Sequence, residues 1–285
     1  YNNIDFNEVP AKAMIKYTNT FKEKMTCKYD EYLNNLKNGE AHINTKGLLA
    51  YEIIQKIIAY KRSGLDLDNE LYDLMWQNQK DTFKSDKNIL VMADTSGSMM
   101  DYSALPYATA IGLALYTSER NTGIFKNHFL TFSSKPYFYE IKGKNLLEKI
   151  KNIPEILSTT EIDKAFELIL ETAKNNKLTQ EELPSHLIII SDMEFDRGVY
   201  SENGTNLSVW KENISKAGYK LPIIIFWNVA ARTNGLPASK FSEDVAMISG
   251  FSTNILDKLL ELDKYNPLEV MHEKLAPYKE MLKDN

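Results

Sequence analysis

Three short, almost unbroken apolar runs limit what this chain can fold into: "NILVMAD" (88–94), "HLIIISD" (186–192) and "LPIIIFWN" (221–228). A strand with one wet face alternates apolar and polar residues. Runs without alternation indicate strands buried on both faces, as in a parallel sheet covered by helices. "FKNHFLTFSS" (125–134) and "PYFYEI" (136–141) read as a hairpin at or near a sheet edge, and "VAMISG" (245–250) as a last strand. Helical periodicity fills the gaps in "LPYATAIGLALYTSER", "EIDKAFELILETAKNN", "NLSVWKENISKAG" and "TNILDKLLELDKY". Strand and helix in alternation predict a doubly wound α/β domain with a mostly parallel, Rossmann-like sheet over residues 87–285.

Residues 1–86 carry no strand pattern. "VPAKAMIKYTNTFKEK", with Pro10 suited to a first turn, and "TKGLLAYEIIQKIIAYKR" show helical spacing. "DNELYDLMWQNQKDTF" follows the loop "SGLDLDN" with Asp68 as N-cap. The expectation is an N-terminal helical extension, the end of a longer helical region. The chain opens on Tyr1 without Met and is read as a piece of something longer.

Composition narrows the functional classes. Cys27 is the single cysteine, which excludes an internal disulfide or a thiolate zinc site and fits a reducing, cytoplasmic setting. No apolar run approaches the ~20 residues of a membrane helix. The net charge is -5, and residues 1–90 balance 13 Lys and Arg against 13 Asp and Glu. Neither part has the basic excess of an obvious nucleic-acid surface.

In a doubly wound sheet, ligands bind outside the carboxyl ends of the strands. The first apolar run ends there in Asp94-Thr95-Ser96-Gly97-Ser98, and the second in Ser191-Asp192. Ser158-Thr159-Thr160 precedes the helix beginning at Glu161. These loops offer hard oxygen donors with no nearby His or Cys, a set that suits Mg²⁺ or Mn²⁺ and disfavours zinc. Each element alone has an ordinary explanation. Asp94 to Ser98 fits a turn with an N-cap, Thr160 with Asp163 fits a capping box, and Asp192 fits a strand-end turn. Their shared placement favours one site.

The stretch "DTSGSM" resembles the D-x-S-x-S signature of von Willebrand factor A domains, over roughly residues 87–262. That resemblance implies a metal-ion-dependent adhesion site. Ser96 and Ser98 would be direct ligands, Thr160 a third hydroxyl, and Asp94 and Asp192 carboxylates holding waters and hydroxyls. Gly97 would let the loop turn sharply. "STTE" (158–161) stands where many members have Gly-Gly-Thr-Asp, so Thr159 rivals Thr160. "VPAKAMIKY" and "SDMEFD" further resemble an uncharacterised family with a C-terminal A-type domain, similar to Ro/TROVE ribonucleoproteins.

The implied function is a non-enzymatic module that captures a partner protein's Glu or Asp through Mg²⁺. An RNA-binding, Ro-like component and a metal-dependent phosphoesterase are the alternatives. The latter wants a positioned nucleophile or base that the sequence does not display. The four histidines have no ligand spacing, and no P-loop, G-x-S-x-G or kinase motif is present. Glu194, Asp196 and Asp101 read as solvated acids. Trp76, Trp210 and Trp227 read as core. The lysines from Lys126 to Lys151 read as a solvated face.

Overall fold

The computed structural model describes residues 4–63, 69–79, 87–133, 135–154, 162–193, 200–201, 204–230, 245–252, 260, 271–272, 275–276 and 278. Six strands form its sheet: β1 (Ile89–Ala93), β2 (His128–Thr131), β3 (Phe138–Glu140), β4 (His186–Ser191), β5 (Ile223–Asn228) and β6 (Val245–Ser249). Their order is β3-β2-β1-β4-β5-β6. All neighbours are parallel except the edge strand β3, which pairs antiparallel with β2. The expected α/β, doubly wound, mostly parallel sheet is therefore present. A two-residue hairpin at Tyr200–Ser201 and Gly204–Thr205, not foreseen, stands apart from it.

The unbroken apolar runs work as expected. Side chains alternate across a strand, so Ile89, Val91, Ile188, Ile190, Ile225 and Trp227 enter one core. Leu90, Met92, Leu187, Ile189, Ile224 and Phe226 enter the other. On the first face lie the N-terminal helices α1 (Ala11–Lys24), α2 (Thr26–Lys37), α3 (Ala50–Ser63) and α4 (Asn69–Gln77), with α5 (Asp101–Arg120) and α6 (Leu146–Asn152). On the second lie α7 (Ile162–Asn175) and α8 (Asn206–Lys216). The helical segment thus shares one continuous core with the sheet. All three tryptophans are buried.

Pro10 sits one position earlier than expected, as the residue before α1, and its carbonyl accepts the Met14 amide. Asp68 lies outside the described residues, as does most of the expected helix at 253–265. The short α6 was not foreseen. Its start carries a legible signal, because the Asn145 side chain accepts the Glu148 amide while Glu148 accepts the Lys144 amide.

Two features of α5 matter for the site. Gly112 lets α3 approach closely: a Cβ there would stand 3.2 Å from the Tyr51 amide nitrogen and 3.3 Å from its Cα. Near its start, α5 takes a left-handed step, with φ of 62° at Ser103 and 59° at Ala104. Such a conformation costs a residue other than glycine ~1–2 kcal/mol. Pro106 lies inside α5, where it supplies no backbone N–H, and the Leu105 carbonyl beyond the step accepts the Thr109 hydroxyl at 2.8 Å.

Candidate functional site

The chain passes from β1 to β2 on one side and later crosses to β4 on the other, so the order reverses between β1 and β4. The crevice outside their carboxyl ends is where open α/β sheets bind ligands. Parallel register places Ala93 opposite Ile190, which brings Asp94 beside Ser191 and Asp192. The Asp94 amide continues the ladder to the Ile190 carbonyl at 2.9 Å.

The loop after β1 is built by its own polar residues. Asp94 Oδ1 accepts the Ser96 amide at 2.9 Å, the turn that an aspartate makes with the backbone two residues on. A 3₁₀ turn over Gly97–Met100 follows, with the Met99 amide bonded to the Ser96 carbonyl. This brings Ser96 Oγ and Ser98 Oγ to 3.1 Å from each other. Both side chains are half-buried. The expected role of Gly97 needs correction. Its φ is not left-handed, and a Cβ there would meet nothing within 4 Å. The turn is made by the aspartate and the 3₁₀ geometry.

Ser191 is the residue that the sequence reading left out of the site. Fully buried, it donates its hydroxyl to Asp94 Oδ2 at 2.8 Å and accepts the Met193 amide at 3.1 Å. Met193 is left-handed, with φ 64°. One hydroxyl thus ties β1's carboxylate to the loop that leaves β4. The available signal was a serine beside Asp192 at a strand end.

Asp94 and Asp192 are each only 1% exposed. Burial pushes the Asp94 carboxyl above its usual range; hydrogen bonds from Ser96 and Ser191 oppose this, and the nearby Asp192 charge adds to it. Among the described residues Asp94 has no ion-pair partner, and no three His, Cys, Asp or Glu side chains converge as a conventional metal cluster. The donors here are hydroxyls. In an octahedron with ~2.1 Å bonds, neighbouring ligand atoms lie ~3.0 Å apart. The serine pair matches that separation, and two buried carboxylates behind it supply the negative charge that a divalent cation would balance. These residues fit Mg²⁺ or Mn²⁺. Of the expected set, Asp94, Ser96, Ser98 and Asp192 gather at one crevice, while Thr160, its rival Thr159, Glu194 and Asp196 lie outside the described residues.

Comparison with known proteins gives the chain a relative described only as uncharacterized. The chain is 28% identical over 301 residues to an uncharacterized protein, L728, of Acanthamoeba polyphaga mimivirus, covering 98% of this chain and 50% of the relative. Among solved structures it is similar to the Ro (RSR) protein of Deinococcus radiodurans, at 16% identity and a TM-score of 0.45 over 80% of this chain and 51% of that one. It is also similar to proximal thread matrix protein 1 of the mussel byssus, at 15% identity and a TM-score of 0.37 over 62% and 46%. The chain therefore spans about half the length of these proteins. No helix among the described residues is long and apolar enough to cross a membrane. A domain of unknown function (DUF2828) matches residues 1–92. A second, the domain of unknown function DUF7788, matches residues 88–283, and the chain belongs to that family.

Proposed function

We propose that this chain is a von Willebrand factor A-type module that binds Mg²⁺ or Mn²⁺ and, through it, an acidic group of a partner protein, without catalysing a reaction. The observation that carries the reading is the pair of serine hydroxyls 3.1 Å apart, set in front of two buried aspartates at the switch point of the sheet. Ser96 and Ser98 hold the ion directly. Thr160 supplies a third hydroxyl, and Asp94 and Asp192 orient hydroxyls and waters from behind, as outer-shell carboxylates do. When bound, the ion supplies an open, electrophilic position for an anionic oxygen.

Charge selects the partner. Three neutral hydroxyl ligands and two carboxylates leave the immediate site near neutrality with a divalent ion in place. A Glu or Asp carboxylate fits that vacancy, and a phosphate oxygen is second choice. How Asp94 is held supports the reading without catalysis. One of its oxygens accepts the Ser96 amide and the other accepts the Ser191 hydroxyl, so the buried carboxylate is poorly placed to attack a substrate or take its proton.

The test is capture of partners in Mg²⁺ against EDTA, with both protein and RNA identified, followed by affinity measurement on the purified pair. Binding should vanish in EDTA and in Ser98→Ala, and fall sharply when one partner carboxylate is neutralised. A partner held equally well in EDTA would contradict the reading. So would a phosphoesterase activity that purifies with the chain and is lost in Asp192→Ala.

A further inference from the structure

The sheet ends on β3, whose backbone is open on its outer side. In an antiparallel pair, alternate residues turn their N–H and C=O toward the partner strand, and the residues between turn theirs away. The Thr131 amide bonds to the Tyr137 carbonyl at 3.1 Å, and the Ile141 amide to the Asn127 carbonyl at 2.8 Å. In the same register Phe129 lies opposite Tyr139, so Tyr137, Tyr139 and Ile141 are the residues bonded toward β2. Phe138 and Glu140 each direct an amide and a carbonyl away from the sheet. No group among the described residues takes them. Beyond them the open stretch closes, because the Lys142 carbonyl accepts Asn152 Nδ2 at 2.8 Å.

Both ends of this edge are basic. Residues 121–154 hold six lysines against two glutamates, a net +4 in a chain whose net charge is -5. Lys149 turns inward to Glu119. The other five, Lys126, Lys135, Lys142, Lys144 and Lys151, are exposed. Three of them gather at one end: Lys126 falls opposite Lys142 where the Asn127–Ile141 bond continues the register, and the Asn152 bond to Lys142 brings up Lys151. Lys135 stands at the other end. Its hairpin tip is held by the Lys135 amide on Ser133 Oγ and the Tyr137 amide on Thr131 Oγ1. Lys135 and Lys142 are separated by ~23 Å of extended chain. Between them the strand carries no lysine, the Tyr137 ring is exposed, and Glu140 meets Lys142 only at 3.7 Å.

We propose that β3 receives an added strand from a partner protein, an extended segment of about seven residues with acidic side chains toward both ends. Its backbone pairs with the outward groups of Phe138 and Glu140, which supplies affinity. Its carboxylates meet Lys135 at one end and Lys126 and Lys142 at the other, which selects the partner. Lysines beside an open edge keep like edges apart. A second copy of this chain, bringing the same positive charge, is therefore the wrong occupant. The phosphates of a nucleic acid would answer the charge but offer no donor to the outward carbonyls. β2 separates this edge from β1 and its serine loop, so the contact needs no metal.

The test uses the full chain in EDTA, so that no carboxylate is held through a metal. The probe is a labelled, N-acetylated and C-amidated peptide, Glu-Glu-Val-Thr-Val-Glu-Glu, followed by fluorescence anisotropy and by amide hydrogen exchange of the protein. The peptide should bind, more weakly as salt rises, and should slow exchange at the Phe138 and Glu140 amides. Glu140→Pro deletes an outward donor and leaves the ladder to β2 intact. It should weaken binding about tenfold while the unfolding midpoint holds. Glu140→Gln keeps the amide and should bind at least as well as the parent. Lys135→Glu combined with Lys142→Glu should weaken binding as much as the proline does, and the peptide with lysine in place of glutamate should not bind. If Glu140→Pro proves unstable, the lysine pair and the exchange at Phe138 decide. Failure of the acidic peptide to bind, equal binding by Glu140→Pro, or equal binding of the lysine peptide overturns the proposal. So does an oligouridylate that displaces the peptide and binds Glu140→Pro as tightly as the parent, which would make the edge a surface for phosphate. A dimer in sedimentation that Glu140→Pro breaks would make a second copy the occupant and overturn it too. None of these outcomes bears on the metal: its partner is released by EDTA, and the partner of this edge by Glu140→Pro.

Discussion

Two buried hydroxyls at the crevice should respond oppositely to removal. Ser191 Oγ donates to Asp94 Oδ2 and accepts the Met193 amide. Ser191→Ala leaves a buried carboxylate oxygen and a buried amide without that partner. Hydrogen bonds to charged groups contribute about 1.5–3 kcal/mol, and an orphaned buried polar group costs about 1–3 kcal/mol. The low ends together give about 2.5 kcal/mol. Thr95 Oγ1, one residue from Asp94, is buried and has no hydrogen-bond partner among the described residues. Thr95→Val keeps the shape and removes that unmet hydroxyl, so stability should hold or rise. Urea unfolding in EDTA, followed by fluorescence of the three buried tryptophans, separates these effects from metal binding. The argument fails if Ser191→Ala loses less than about 0.5 kcal/mol, the size of an ordinary neutral substitution. It fails equally if Thr95→Val loses as much as Ser191→Ala.

Three further outcomes follow from packing and ionisation. Glu119 accepts from Trp76 Nε1 at 2.9 Å and from Lys149 Nζ at 2.8 Å, joining α4, α5 and α6; Glu119→Leu should cost about 2 kcal/mol in the same unfolding assay. Gly112→Ala should destabilise by about 1 kcal/mol or more, although alanine is the better helix former, because the new methyl meets the backbone of α3. A gain in stability would show that α3 and α5 are not so close. The Tyr32 hydroxyl donates to the His42 carbonyl, and burial, with the Asp5 charge, pushes its pKa up to about 12. Its folded value lies above its unfolded one, so its contribution is complete below pH ~10 and is lost as pH rises toward 12. Tyr32→Phe, which keeps the ring against Phe6, should flatten that alkaline loss in pH-dependent unfolding.

What the sequence disclosed followed from burial. β1, β4 and β5 were legible because both their faces are covered, which leaves no polar position to obscure the run. The Leu105-Pro106 pair marked where the regular part of α5 begins, but nothing in the letters Ser103-Ala104 announces left-handed backbone there. The helix α6 was hidden by its charges: Lys149 and Lys151 looked like a solvated stretch, although Lys149 turns inward to Glu119. Asp94, Ser96 and Ser98 were legible as one loop. Ser191 was not, because its partnership with Asp94 depends on strand register across 97 residues, and a single sequence does not display register. Gly97 drew attention as a turn glycine, yet the turn rests on the Asp94 side chain.

The central claim is that a divalent ion sits between Ser96 and Ser98. Crystals of the chain grown in millimolar Mn²⁺, with anomalous diffraction recorded at the manganese edge, test it most directly. The account predicts one strong peak ~2.1–2.2 Å from both serine Oγ atoms, with Asp94 and Asp192 reaching it through waters and Thr160 or Thr159 completing the hydroxyl set. The same crystals of Ser98→Ala should lack the peak. No peak at this crevice, or a peak elsewhere that survives Ser98→Ala, would contradict it.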